Sequence, residues 1–244
     1  MSIAEFVKNI IFHYLAVRRG NHPFPPDSVA TFAFVLGLQE ANDVRANLCE
    51  MGVEHGGTAF LLAHSFRHDE VLNLIDLKMP DRFATTLAEL SPDLQSRICF
   101  YEASTTSPSL DTLSQQEFRI VHIDAGHTKE AVAQDATWFA YCLSPRGVTV
   151  FDDVFEIRWP CVTEALLDYL PSSRLAPFMI LDRKLCCYRN EDHAFYLSEV
   201  RNNLHVFDTF GSLRSWVEPW CGWDTVILKL AVSPHFQRHF GKHA

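Results

Sequence analysis

Glu50-Met51-Gly52-Val53-Glu54-His55-Gly56-Gly57-Thr58 separates a short apolar run at residues 46–50 from a helical pattern at 58–66, and its reading decides the fold. Three of the chain's ten glycines fall within six of these positions. A glycine at a strand-to-helix turn takes positive φ at little cost and lets a ligand approach the backbone, while the helix start offers unpaired N–H donors. The place suits a nucleotide-like ligand. The next apolar run, 71–76, ends in Asp76, where a carboxylate can accept from both hydroxyls of a ribose. The spacing Gly-x-x-x-Gly-Gly lacks the middle glycine of Gly-x-Gly-x-x-Gly, so the pyrophosphate cradle of a nicotinamide dinucleotide is not matched.

Outward from this turn, apolar runs at 46–50, 71–76, 98–101, 119–124 and 148–151 alternate with helical patterns at 58–66, 80–90, 109–115, 128–143 and 161–170. Continuous rather than alternating apolar runs indicate strands buried on both faces, and repeated β-α units indicate a parallel sheet with right-handed crossovers. After Pro171 the runs 178–181, 185–188 and 194–197 read as strands, which suggests an antiparallel hairpin closing the sheet. Residues 2–18 carry Phe6, Val7, Ile10, Ile11, Tyr14 and Leu15 on one helical face, and 21–27 form a proline-broken connection. Three regions are expected: an N-terminal helical cap at 1–40, a Rossmann-like domain at 41–205, and a C-terminal extension at 206–244 packed on it. Three of the five tryptophans lie in that extension.

With 244 residues and 48% hydrophobic content the chain can bury one large core. A formal net charge of −9 argues against affinity built on neutralising phosphates, so nucleic acid is not an expected partner. Seven scattered cysteines without a C-x-x-C pair read as thiols of a reducing compartment. Glu5 and Lys8 interrupt the first apolar stretch, so neither a signal peptide nor a membrane span is expected, and the chain reads as cytoplasmic. The N-terminal helix reads as a packed cap, with a membrane-surface or homodimer contact as alternative uses. His235, His239 and His243 recur at four-residue intervals without an acidic companion, and packing or solvation explains them more simply than metal binding.

The segment 50–58 resembles motif I of class I S-adenosylmethionine-dependent methyltransferases, an acidic residue followed by Gly-x-x-x-Gly. Residues Val121-His122-Ile123-Asp124-Ala125-Gly126-His127-Thr128-Lys129-Glu130, then Asp135, then Gly147-Val148-Thr149-Val150-Phe151-Asp152-Asp153 and Trp159-Pro160-Cys161-Val162, are similar to the macrocin and sugar O-methyltransferase group. The resemblance spans roughly residues 45–200. It implies a doubly wound, mostly parallel seven-stranded sheet of order 3-2-1-4-5-7-6. It also implies S-adenosylmethionine held by Glu50, Gly52, Glu54, His55, Gly56, Gly57, Thr58, Asp76 and Asp124, with Ala103 and Ser104 beside the adenine, although the usual Gly-Asp there is not matched.

In that strand order Asp124, Asp152 and Asp153 converge, and three adjacent carboxylates repel one another unless a cation or protons compensate. Metal-dependent members of the group use the matching positions for a divalent ion, which implies Mg²⁺ or Mn²⁺ at oxygen ligands. Members commonly read Asp-Gly-Asp-His where this chain reads Asp124-Ala125-Gly126-His127. The second aspartate, a general base in some relatives, is therefore replaced by Gly126, and His127 is the candidate to take the proton in its place. The expected activity is methyl transfer to a hydroxyl of a small molecule or sugar, with Asp124 and His127 as catalytic residues. A nicotinamide-dependent oxidoreductase, or a non-catalytic cofactor-binding protein on the same fold, are the alternatives.

Overall fold

A computed structural model describes residues 1–17, 25–234 and 236–237. The end of the first helical pattern and the start of its connection, at 18–24, lie outside the described residues, as do His235, His239 and His243. The chain runs α1 (Ile3–Val17), α2 (Pro26–Ala41), β1 (Asn47–Met51), α3 (Gly57–Ala63), β2 (Leu72–Asp76), α4 (Asp81–Glu89), α5 (Pro92–Gln95) and β3 (Ile98–Glu102). A 3-10 helix at Pro108–Gln115 leads into β4 (Phe118–Ile123), α6 (Lys129–Cys142), β5 (Leu143–Phe151) and α7 (Pro160–Tyr169). The chain then forms β6 (Leu175–Leu181), β7 (Lys184–Arg189), α8 (His193–Asn202), β8 (Gly211–Trp220) and β9 (Trp223–Val232).

The sheet order is β3-β2-β1-β4-β5-β7-β6-β9-β8. Its first seven strands follow the expected order, with β1 to β5 parallel and β7 antiparallel to both β5 and β6. The sheet has nine strands rather than seven. The extra pair comes from the C-terminal extension, where β9 lies parallel to β6 and β8 is its hairpin partner. Without β9 the strand β6 would present an open row of N–H and C=O groups, and pairing Met179, Ile180 and Leu181 with Val226, Ile227 and Leu228 covers it. The strand expected at 194–197 is instead the start of α8. Tyr196 and Val200 are both buried one helical turn apart, and the Tyr196 ring stacks on Phe178 and Tyr188 of the sheet. A four-residue apolar run does not by itself distinguish the two periods.

Strand pleating divides the core into two. Leu48, Ile120, Val148, Val150, Cys186 and Tyr188 face α1, α2, α3 and α8, whereas Cys49, Met51, Val121, Ile123, Phe151 and Cys187 face the 3-10 helix, α6 and α7. Every residue of α2 from Ser28 to Gln39 is buried, which accounts for its lack of a polar face. A Cβ at Gly37 would come within 3.0 Å of Ile3 Cγ2, so this glycine lets α1 lie close on α2. At the amino end of the sheet the fully buried Arg119 meets Glu70 through two bonds of 2.8 and 2.9 Å and donates to Gln39 Oε1 at 2.9 Å. That pairing fixes α2 and β2 to β4 at the end opposite the glycine-rich turn.

Candidate active site

The carboxyl ends of β1, β2, β4 and β5 come together around the glycine-rich turn. Gly52 has φ +82°, and a Cβ there would fall 2.0 Å from the carbonyl oxygen of Asp124. Only glycine permits this contact between the end of β1 and the end of β4. Gly56 caps α3 in the left-handed region, and a Cβ on it would meet the Phe83 ring at 2.4 Å. Beneath the turn, Asp76 Oδ2 accepts from the backbone N–H of Val53 at 2.8 Å and of Glu54 at 3.4 Å. One oxygen of this carboxylate therefore shapes the turn. Glu54 points outward and His55 Nε2 lies 3.2 Å from Arg82 Nη1.

Glu50 faces inward. It is 2% exposed and hydrogen-bonds His122 Nδ1 at 3.0 Å, with burial raising its pKa against the stabilising pull of His122, Lys184 and Thr58. His122 lies opposite Glu50 in register on β4, and its Nε2 is 3.6 Å from Asp152 Oδ2. Burial alone would lower the His122 pKa, but Asp152 and Glu50 outweigh it and lift it to about 9. Asp152 in turn holds the ammonium of Lys184. A buried chain of alternating charge thus crosses β1, β4, β5 and β7, covered by Phe32 of α2, which packs edge-on to His122 at 4.9 Å. Glu50 acts on the turn from inside the core.

The acidic cluster is compensated unevenly. Asp152 Oδ1 accepts the Asp153 N–H at 2.7 Å and its Oδ2 faces Lys184 and His122, so its carboxyl is held well below the usual range despite burial. Asp153 Oδ1 accepts from Arg183 Nη1 at 3.1 Å, and Oδ2 lies 3.0 Å from His127 Nε2. Among the described residues, the one ion-pair partner of Asp124 is His127 Nε2, at 3.8 Å. Burial and the Asp152 charge push the Asp124 carboxyl up to about 8. Two groups of described residues could hold a metal ion, His122-Asp124-Asp152 and Asp124-His127-Asp153. Asp124 belongs to both, whereas Asp152 and Asp153 fall in different groups.

His127 is partly buried, and its ring stacks on Trp159 with centroids 4.4 Å apart and planes 24° apart. The N-cap of α6 is Thr128, whose hydroxyl accepts from Ala131 N–H at 3.3 Å, so His127 is not needed as a cap. At the end of β3, Ala103 N–H donates to the Asp76 carbonyl at 2.8 Å and the Ser104 hydroxyl is engaged with Thr106 at 3.0 Å. The residues that sequence reasoning passed over are His122, Arg183 and Lys184. A histidine inside the otherwise apolar Ile120–Ile123, and a lysine starting the buried Lys184–Arg189, were the available signals.

Asp135 on α6 is 1% exposed, and burial pushes its carboxyl from the ordinary 3.8 up to about 6, with Thr105 pulling the other way. A folded-state pKa above the unfolded value favours the fold at low pH and loses that contribution as pH rises through 6. The stability difference between the parent and Asp135→Asn is therefore expected to change by about 2 kcal/mol between pH 4 and pH 7. Urea unfolding of both proteins across that window measures it, and parallel pH curves would refute it.

Residues 49–154 match a protein-family model described as a methyltransferase domain. Among solved structures, the chain is similar to CalS11, described as a TDP-rhamnose 3'-O-methyltransferase of calicheamicin biosynthesis, at 16% identity and a TM-score of 0.50, covering 77% of this chain and 94% of that one. It is similar to the O-methyltransferase NovP at 14% identity and a TM-score of 0.51, covering 77% and 99%. The MycE methyltransferase of the mycinamycin pathway, in complex with Mg and SAH, matches at 15% identity and a TM-score of 0.50 over 75% of this chain and 54% of that one. No curated protein sequence matches the chain. The structural likenesses establish the fold, and the family match falls on the glycine-rich turn and the acidic cluster together. Residues 49–154 thus carry a methyltransferase domain, on a fold shared with these O-methyltransferase structures.

Proposed function

We propose that the chain methylates a hydroxyl oxygen of a small-molecule acceptor beside a divalent cation. The observation that carries this reading is the direct contact between Gly52 and the Asp124 carbonyl, which makes the glycine-rich turn and the acidic cluster neighbours. S-Adenosylmethionine supplies a methyl group on a positively charged sulfur. The chain's contribution is chiefly placement, because alignment of two reactants removes several kcal/mol of barrier. Gly52, Gly56, Gly57 and Thr58 form the backbone surface of the turn, Asp76 offers Oδ1 to the ribose, and Ala103 and Ser104 border the adenine. Glu50 fixes the end of β1 from below, and Glu54 and His55 form the outer rim of the turn. His127 takes the proton of the acceptor hydroxyl. Residues 1–40 and 206–244 are additions to a methyltransferase core at 41–205.

For the cation, the demand comes from Asp124. Its carboxyl is lifted by burial and by Asp152, and among the described residues it lacks a contact like the one Lys184 gives Asp152 and Arg183 gives Asp153. Asp124, Asp152 and Asp153 are the proposed ligands, with His122 and His127 at the margins of the two groups. A Mg²⁺ or Mn²⁺ ion there would supply Lewis-acid polarisation of the acceptor oxygen.

Native mass spectrometry of the purified chain tests the cofactor: a retained species with the mass of S-adenosylmethionine or S-adenosylhomocysteine supports the reading. A screen of hydroxylated metabolites with labelled S-adenosylmethionine tests the transfer. Asp76→Ala is expected to weaken S-adenosylhomocysteine binding by roughly 1.5–3 kcal/mol, the range for hydrogen bonds to a charged group. Titration calorimetry reads this, and unchanged affinity in the folded variant would remove Asp76 from the cofactor site.

A further inference from the structure

Beyond the cluster, the loop joining β5 to α7 holds three large apolar side chains in the open within five residues: Phe155 at 54% exposure, Ile157 at 91% and Trp159 at 41%. Phe155 also sits at φ +65°, a left-handed conformation that a bulky side chain rarely adopts. The surrounding bonds impose it. Phe155 N–H donates to Thr163 Oγ1 at 2.8 Å, Val154 N–H to the Arg183 carbonyl at 2.9 Å, and Glu156 N–H to the Asp153 carbonyl at 3.2 Å. A strained backbone that turns a phenyl ring outward adds little to the core. It does place the ring edge-on to Trp220, at the tip of the β8–β9 hairpin, with centroids 6.0 Å apart. At the other end of the loop, Trp159 stacks on His127.

The Trp159 ring adjoins the cluster through His127, which lies 3.0 Å from Asp153 Oδ2. A sugar would need polar side chains free to hydrogen-bond its hydroxyls, and the charged groups of the loop are instead engaged with one another. Glu156 is paired with Arg183 at 2.8 Å and with Arg158 at 3.3 Å. We infer that Phe155, Ile157, Trp159 and Trp220 form an apolar wall that selects a phenolic acceptor, a hydroxyl carried on a flat apolar ring, over a free sugar. This inference rests on the proposed O-methylation. In the reaction the phenolic proton goes to His127 and the oxygen forms its bond to the methyl carbon. The sulfur–carbon bond breaks with its electron pair returning to sulfur, which leaves a neutral thioether.

The test uses binding, not turnover. With the chain saturated in S-adenosylhomocysteine, 2-naphthol and methyl α-D-glucopyranoside are titrated by calorimetry into the parent, Phe155→Gly and Ile157→Ser. Glycine accepts the left-handed conformation without strain, so Phe155→Gly removes the ring and keeps the loop. The parent is expected to bind 2-naphthol and not the glucoside, and Phe155→Gly to lose roughly tenfold in naphthol affinity with unchanged affinity for S-adenosylhomocysteine. Ile157→Ser should lose affinity in the same direction. Glucoside binding as tight as naphthol binding, or naphthol affinity unchanged in both variants, would overturn the wall. Failure of S-adenosylhomocysteine to bind the parent would instead strike the methyltransferase site, and naphthol titrated into the cofactor-free chain would still read the wall.

Discussion

Turnover is expected to fall by roughly a thousandfold when the purified chain is exchanged into excess chelator, and to return on addition of Mg²⁺ or Mn²⁺, the scale set by several kcal/mol of Lewis-acid stabilisation. The expectation follows from how charge is distributed at the sheet edge. Asp152 and Asp153 carry Lys184 and Arg183 on their oxygens, whereas the half-buried Asp124 faces the Asp152 charge with the more distant His127 as its ion-pair partner among the described residues. Full activity in chelator would reassign the compensation to the protein's own cations. Lys184→Met would then be the damaging substitution, since it leaves Asp152 and Asp124 together without an ammonium. Metal content measured on the same chelated sample separates true independence from incomplete removal.

The Rossmann-like order was legible because its signals are local: apolar runs of strand length, helical patterns between them, and a glycine-rich turn with Asp76 one strand away. What escaped sequence reasoning was set by partners far along the chain. Residues 194–197 form part of a helix because Tyr196 stacks on Phe178 and Tyr188, contacts that no four-residue window contains. The hairpin of β8 and β9 joins the sheet because β6 needs an edge partner, a demand invisible within 206–244 itself. At the site, Asp124, Asp152, Asp153 and His127 were readable from their positions just after strand ends; the structure sets Asp124 and His127 beside Asp153, and Asp152 in a separate group with His122 and Asp124. Their compensation was not readable. Lys184 and Arg183 lie about thirty residues beyond Asp152 and Asp153 and reach them only because β7 pairs antiparallel with β5. Glu50 likewise takes an inward role because it sits in register with His122.

His127→Ala is expected to lower turnover by roughly 10²- to 10⁴-fold, the usual contribution of a positioned general base, while leaving S-adenosylhomocysteine affinity unchanged. His127 Nε2 lies 3.0 Å from Asp153 Oδ2; in the tautomer that donates to this carboxylate, Nδ1 is the nitrogen able to take the proton. That pairing fixes the tautomer and stabilises the imidazolium formed when Nδ1 takes the acceptor's proton, the role a buried carboxylate plays behind a catalytic histidine. Asp153→Asn should therefore reproduce part of the loss. The competing explanation is packing, since His127 stacks on Trp159. His127→Phe separates the two, because a phenyl ring keeps the stack and has no lone pair. Single-turnover rates with labelled S-adenosylmethionine should be as low for His127→Phe as for His127→Ala. Parental rates in His127→Phe would make the imidazole a support for Trp159 and leave proton removal to the cation-bound cluster around Asp124.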